Sequence, residues 1–544
     1  MTPERFAAIQ SDEQLIEAIN ELCSARERGE IEIYPGILRK AVDILSFNQK
    51  ITRALTLDTP AKYSIDNSAV YDPDVIAQLV DVIDEQIELG PITAIEKLAD
   101  NTICSISKKK ADYIKELAVC VNREPYISLG QLMALTNLDP HFGYYALDFG
   151  IGRQNWDMQL TSAFTTPICM EKEYRETYAN ICLASFECLS KQGEFSSDIP
   201  FTIINVGDGE SLLSMEILDK ISQSSIDPQI VKLISVDASG SLLPAQRERL
   251  AYNIEKGFKI EFFQGRVENI SDFFPAHEKL RGVVIAGEEL IDDLPSYFFG
   301  FDPDTGKPYE AGFNFDNPHS QVKLKPPEDL QKMFEAWLAA FPQYRTYLAA
   351  AQNATDKTSS YVPFNLRFLG VIKQIATADN FEGYWMGGDC NQFFHFIETD
   401  PYWKPVRAMG LPKEEREFFN EELFPHVSLS DSIEKPANVT TDVDPGLLSF
   451  ATALGMRAEY IGRKGHFQNI FMKRDIRTIS QVRSQIASIT QDLLHPFGAI
   501  DYGDIMHMNN DIFNLDQDYS GIRFNWIMSK GNVPLLLDNN NVFW

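Results

Sequence analysis

FTIINVGDGESLLSMEILDKISQ, residues 201–223, runs from an unbroken apolar stretch through a two-glycine turn into apolar positions spaced as on a helix. The pattern then recurs. VKLISVDAS (231–239), KIEFFQGRV (259–267) and RGVVIAGEEL (281–290) read as strands, and LLPAQRERLAYNIEKG (242–257) reads as a helix between the first two. A further helical stretch, EKEYRETYANICLASFECLSKQG (171–193), precedes the set. Strands alternating with helices predict right-handed βαβ units and a parallel sheet buried on both faces, which makes the fold class α/β.

Outward from this block the signals change. Residues 1–125 read mostly as helix: AQLVDVIDEQIEL (77–89) and KKADYIKELAVCV (109–121) carry apolar residues at i, i+3, i+4, i+7, with Gly90-Pro91 and Glu124-Pro125 as punctuation. Residues 300–380 read as irregular, then helical from EDLQKMFEAWLAAF (328–341). RAEYIGR (457–463) and HFQNIFMKR (466–474) read as two strands joined as a hairpin through Lys464-Gly465. The last 70 or so residues, rich in Asn and Asp, give no class. The division that follows is a helical region over 1–125, a core over 126–474 with a helical and irregular insert around 300–440, and an extension over 475–544.

Composition excludes several functions. With 49 Lys and Arg against 78 Asp and Glu, the net charge of −29 repels phosphate backbones and anionic lipid. Nucleic acid and membrane are therefore not expected partners, and the basic run Lys108-Lys109-Lys110 reads as a solvated helix face. The seven cysteines are odd in number, scattered and never spaced as CxxC, which points to free thiols in the cytoplasm or another reducing compartment and against a structural metal site. No apolar stretch reaches membrane-spanning length, and no signal peptide is evident.

In open α/β sheets ligands bind beyond the carboxyl ends of the strands, so the loops there carry the chemistry. Asn205-Val206-Gly207-Asp208-Gly209 is a strand-to-helix turn whose glycines suit either close approach of a nucleoside or a tight structural turn. Asp237, at the end of the second strand, is placed to accept hydrogen bonds from both hydroxyls of a ribose, with Ala238 beside it. Gly265 and Arg266, after the third strand, are where an adenine could pack. After the fourth strand, Glu288, Glu289, Asp292 and Asp293 put four carboxylates into six residues. Such crowding is unfavourable unless solvated or matched by a cation, and its position faces the same pocket. GxxxxGK[ST] is absent, and Leu212 stands where the third glycine of a dinucleotide fingerprint belongs. A P-loop enzyme and a nicotinamide oxidoreductase are thus disfavoured, and S-adenosylmethionine (SAM) fits better.

At these residues the sequence resembles the MidA-like SAM-dependent methyltransferases, a family that includes a mitochondrial complex I assembly factor methylating a protein arginine. Five segments carry the resemblance in order: Pro140 to Tyr145 with Ile151-Gly152 and Trp156-Asp157; Asn205 to Leu212; Asp237 to Leu250; Glu288 to Pro295; and Thr440 to Asp444 running on to Gly455. Departures are Asn205 in place of the family's acid, Asp208 in place of its proline, Ser211 in place of its third glycine, and Glu288 in place of its asparagine.

The resemblance implies a class I methyltransferase Rossmann-like sheet with a C-terminal antiparallel hairpin, and SAM as cofactor. It places Glu289 and Asp292 as catalytic residues with Glu288 and Asp293 as accessories. Asn205, Gly207, Gly209 and Asp237 are cofactor contacts by this reading, with Tyr144, Tyr145 and Asp157 closing over the site, or the two tyrosines packing in the core instead. The acceptor is open between a protein or peptide arginine and a small natural-product intermediate. A binding or assembly factor with a degenerate cofactor site is the alternative of another class, and the two flanks are candidates for forming a homodimer.

Overall fold

The computed structural model of the chain describes residues 73–105, 108–145, 172–274, 279–288, 290–302, 307–317, 321–340, 362–390, 443, 447–463, 467, 471, 523–534 and 536. Glu289, Asp157 and all of the 440–446 motif except Val443 lie outside them.

The described chain opens with α1 (Pro73–Leu89), α2 (Pro91–Asp100), α3 (Lys110–Asn122), β1 (Tyr126–Ser128) and α4 (Leu129–Leu138). Helices α1 and α3 fall where the periodicity predicts them. Gly90, extended, is the N-cap of α2, and Pro91 takes the first helical position, where a missing N–H leaves nothing unsatisfied. Ser128 and Gln131 close a capping box on α4.

The central block follows as α5 (Lys172–Ser190), β2 (Phe201–Val206), α6 (Leu212–Ser222), β3 (Val231–Asp237), α7 (Leu243–Arg249), α8 (Ala251–Glu255), β4 (Lys259–Gln264) and β5 (Leu280–Glu288). Beyond it come β6 (Tyr297–Phe301), β7 (Pro308–Asn314), β8 (Gln321–Leu324), α9 (Glu328–Ala340), β9 (Val362–Phe364), α10 (Leu366–Thr377), β10 (Phe381–Cys390), α11 (Leu448–Ala453), β11 (Arg457–Arg463) and β12 (Arg523–Lys530).

Seven strands form the main sheet in the order β11-β12-β10-β5-β2-β3-β4. From β10 to β4 every pair is parallel, and β12 runs antiparallel to both β10 and β11. Ranked along the chain the strands therefore lie third, second, first, fourth, fifth, seventh and sixth, with only the seventh reversed. This is the class I methyltransferase sheet expected from the sequence. The order reverses between β2 and β5, so the switch-point crevice opens at their carboxyl ends.

The central strands are buried throughout: all six residues of β2 and eight of the nine in β5. That is why they read as largely apolar runs. Ile203, Leu233, Val283 and Ile285 on one face pack against α5 and α6. Ile204, Val206, Ile234, Val284 and Ala286 on the other pack against α1, α9 and α10. Burying each such side chain contributes about 1.5–3 kcal/mol.

Two expectations are corrected. Lys464-Gly465 and most of 466–474 lie outside the described residues, but Phe467 and Phe471 are helical, and the antiparallel partner of β11 is β12, some 60 residues on, from within the stretch set apart as an extension. The region 300–380 is not simply irregular and helical. It contributes β6 to β9 to a second, antiparallel sheet of five strands, ordered β1-β7-β6-β9 with β8 on β7. In it Tyr126 pairs with Asn314, which ties the start of the core to its insert. Among the described residues no helix is long and apolar enough to cross a membrane.

Candidate active site

The turn from β2 into α6 sits at the switch point. Gly207 (φ +76°) and Gly209 (φ +53°) take left-handed backbone there. Gly207 donates its N–H to Val236 O at 2.9 Å, and a Cβ on it would lie 3.2 Å from Leu290 Cδ2, so the β2 turn and the loop after β5 are in contact.

Asp237 closes the far side of this turn. Its Oδ2 accepts the Gly209 N–H at 2.9 Å and its Oδ1 the Ser239 N–H at 2.8 Å. Burial raises its carboxyl to about 6, against the lowering effect of these two bonds. Each oxygen retains a second acceptor direction, so the carboxylate can also take two hydroxyl donors. Gln246 holds the turn from behind, donating from Nε2 to Gly209 O at 2.7 Å. Ala238 O accepts from Gln264 Nε2 at 3.2 Å.

Asn205 is buried and points not at the turn's opening but at Asp208 and Ser214, to which its Nδ2 donates at 2.5 and 3.0 Å. Asp208 also accepts from Ser211, Ser214 and Ser235. Burial raises its carboxyl to about 6; the three hydroxyls lower it and Asp237 raises it further.

The end of β5 is reshaped by a bulge. Met386 pairs with Ile285 but Gly388 with Glu288, so one extra residue is absorbed at Gly287 (φ +112°). The bulge turns Glu288 toward α5, the face that Ile285 occupies. There Glu288 Oε2 accepts from Tyr178 Oη and, at 3.1 Å, from Tyr174 Oη. Asn525, at the start of β12, donates to both tyrosyl oxygens. Tyr174 and Tyr178 are fully buried and meet edge to face at 5.3 Å.

The other carboxylates of the loop are distributed differently. Asp293 accepts from Tyr145 Oη, and its carbonyl accepts from Asn137 Nδ2 at 3.0 Å. The N–H groups of Ile291 and Asp292 donate to buried Asp389, which fixes the loop from β10. Of the two tyrosines singled out in the sequence, Tyr145 thus reaches the acidic loop. Tyr144 is buried against it, ring to ring at 5.0 Å.

Arg266, two residues beyond β4, is engaged by two acids. Its guanidinium pairs with Glu268 at 2.5 Å and Glu96 at 3.1 Å, and Arg367 bonds the same two acids. Burial pushes the Glu268 carboxyl up, but Arg266 and Arg367 outweigh it and hold the group at about 2. This half-buried network clamps α2 and α10 to the segment after β4, with about a third of the Arg266 side chain exposed. Gly265 remains beside Asp237, donating to its carbonyl at 2.9 Å, and a Cβ there would lie 2.3 Å from Phe273 Cζ.

Tyr174, Tyr178, Asn525 and Asp389 escape a local reading. Only the i, i+4 spacing of the tyrosines on an amphipathic helix marks them, and that spacing equally describes core. Among the described residues no group of three His, Cys, Asp or Glu could hold a metal ion.

No family profile and no curated protein matches the sequence. Two crystal structures of COG1565 superfamily proteins from Burkholderia thailandensis align at a TM-score of 0.46 and 12% identity. One, an uncharacterised member, is covered over 94% of its length by 78% of this chain. The other, bound to S-adenosyl-homocysteine, is covered over 92% by 77% of this chain. A loganic acid methyltransferase with S-adenosyl-homocysteine aligns at a TM-score of 0.31 and 11% identity, over 68% of this chain and 97% of that one.

Proposed function

We propose that the chain is a SAM-dependent methyltransferase acting on a nitrogen or oxygen acceptor. The observation that carries this reading is the pairing, at the switch point, of a left-handed glycine turn with Asp237, a buried acid whose two oxygens each keep an acceptor direction. A ribose fits that donor demand, and the turn leaves no side chain on Gly207 or Gly209 to obstruct it. SAM, when bound, supplies a methyl group on a sulfonium, for which S-adenosylhomocysteine (SAH) is the leaving group.

The chain's own residues then have separable tasks. Asp237 holds the ribose and the glycine turn presents backbone. Glu288, steadied by two tyrosyl hydroxyls, keeps a carboxylate at the end of β5 where an acceptor can be oriented. Holding nucleophile, methyl carbon and sulfur in line supplies most of the rate, because transfer at a sulfonium needs little further chemistry. A cationic acceptor would release its proton to one of the loop carboxylates or to water.

The acceptor class rests on how Glu288 is surrounded. Tyr174, Tyr178 and Asn525 are fully buried around it, and Asp293 is engaged by Tyr145. Carboxylates enclosed by aromatic rings favour a small or peptide amine or guanidine over a broad acidic groove for a folded protein. Incubation with methyl-labelled SAM and a panel of arginine peptides and small amines, with SAH release as the readout, tests this. Transfer to at least one of them is expected, with Glu288→Gln slower by tenfold or more, roughly the contribution of one positioned charged group. SAH binding without any transfer would instead favour a degenerate binding factor.

A further inference from the structure

We propose that Asp208 is a positioning residue which, acting through Ser211, holds the Gly207–Ser211 turn in the shape that receives the cofactor. The ligand named here rests on the methyltransferase reading; the geometry does not.

The Asp208 side chain is 7% exposed and accepts four hydrogen bonds. Asn205 Nδ2 donates at 2.5 Å from the end of β2, Ser214 Oγ at 2.8 Å from α6, Ser235 Oγ at 2.6 Å from β3 and Ser211 Oγ at 2.7 Å from the turn itself. All four donors are neutral. Among the described residues no Lys, Arg or His pairs with Asp208, and the charged group that acts on it is Asp237, of the same sign. A buried carboxylate without a cation is a poor source of stability, since a neutral side chain of equal size would lose less hydration. What it offers instead is four acceptor directions at one point, enough to tie two strands, a helix and a turn together.

The turn needs such a tie. Ser211 has φ +60°, one of two non-glycine residues with positive φ among those described. An L-residue is strained in that conformation and persists there only when its surroundings over-determine it. Asp208 holds Ser211 twice: the side chain takes its hydroxyl, and the carbonyl takes its N–H at 2.8 Å. With Ser211 so turned, α6 begins at Leu212 and Gly209 directs its N–H to Asp237 at 2.9 Å. Were Ser211 released to negative φ, the first turn of α6 and the Gly209–Asp237 bond could not both be kept.

The test compares Asp208→Asn, Ser211→Gly and the double variant in the full-length protein by SAH titration, with hydrogen exchange over residues 209–215 measured without ligand. Asparagine keeps the volume but not the four acceptor directions. It is expected to weaken SAH binding roughly tenfold and to raise exchange in the turn. Glycine adopts left-handed backbone unaided, so the double variant should bind SAH to within about threefold of the Ser211→Gly single variant. A general packing role for Asp208 would not be rescued in this way. Asp208→Asn binding as wild type does, or a double variant no better than Asp208→Asn, would overturn the proposal. If Asp208→Asn does not fold, Ser211→Ala, which leaves the other three bonds, must show the same loss and the same exchange. If wild type itself does not bind SAH, the methyltransferase reading fails, and the exchange rescue alone decides the role of Asp208.

Discussion

Replacing Asp237 with Asn separates ligand binding from folding. The substitution keeps shape but turns one acceptor oxygen into an NH2 group, which faces either the Gly209 or the Ser239 N–H now held at 2.9 and 2.8 Å. A hydrogen bond to a charged group contributes about 1.5–3 kcal/mol, so losing the charged acceptor for two ribose hydroxyls should cost on the order of 3 kcal/mol, or roughly 100-fold in Kd. The ligand-free protein has less to lose. Burial raises Asp237 to about 6, above its unfolded value of 3.8, so its contribution to stability is present below pH 3.8 and lost as pH rises through 6. At pH 8 ionisation works against folding by on the order of 3 kcal/mol, and Asn removes that penalty while orphaning one backbone N–H, worth about 1–3 kcal/mol. The two nearly cancel. Calorimetric titration of SAH at pH 7.5, paired with denaturant unfolding of the ligand-free proteins, should therefore show roughly 100-fold weaker binding at nearly unchanged stability. SAH binding to Asp237→Asn within about threefold of wild type would refute the ribose role.

Three other outcomes follow from the same geometry. Glu310, 3% exposed with Oε1 lacking a hydrogen-bond partner, is raised by burial to about 7, so the stability it contributes is lost as pH rises from 4.5 through 7; Glu310→Gln should stabilise the protein at pH 8 by on the order of 3 kcal/mol and hardly at all at pH 4, read from urea midpoints at both pH values. Arg367→Ala leaves Glu96 and Glu268 buried with Arg266 alone and should cost about 3–5 kcal/mol in the same unfolding assay, and a loss below about 1 kcal/mol would contradict the clamp between α2 and α10. Gly207→Ala forces a Cβ onto a residue at φ +76° and to 3.2 Å from Leu290; a cost of about 1–2 kcal/mol and weaker SAH binding are expected, and unchanged thermal unfolding would argue against that backbone.

What the sequence revealed follows burial. β2, β3 and β5 were legible because a parallel strand covered on both faces is apolar at most of its positions. β10, FEGYWMGGDC, carries three glycines and was hidden by them. β12 has an apolar centre, but its partner β11 precedes it by some 60 residues, and no local turn announces so distant an antiparallel pairing. A nearby Lys-Gly pair drew the hairpin to the wrong place. In the site, the separation of Gly207 from Asp237 is set by one βαβ unit and could be read directly. The fate of Arg266 could not, because its partners Glu96 and Glu268 include one from a helix 170 residues earlier. The turning of Glu288 toward Tyr174 and Tyr178 depends on one bulged residue, and a bulge has no composition of its own.

We propose that the crevice between the ends of β2, β3 and β5 is built for S-adenosylmethionine. Its most direct test is calorimetric titration of the wild-type protein with SAM and SAH, with NAD as a control. Saturable one-to-one binding of both adenosyl ligands, weakened roughly 100-fold in Asp237→Asn, with no heat from NAD, is the predicted result. No binding of SAM or SAH at millimolar concentration, or NAD binding that Asp237→Asn abolishes, would contradict the account.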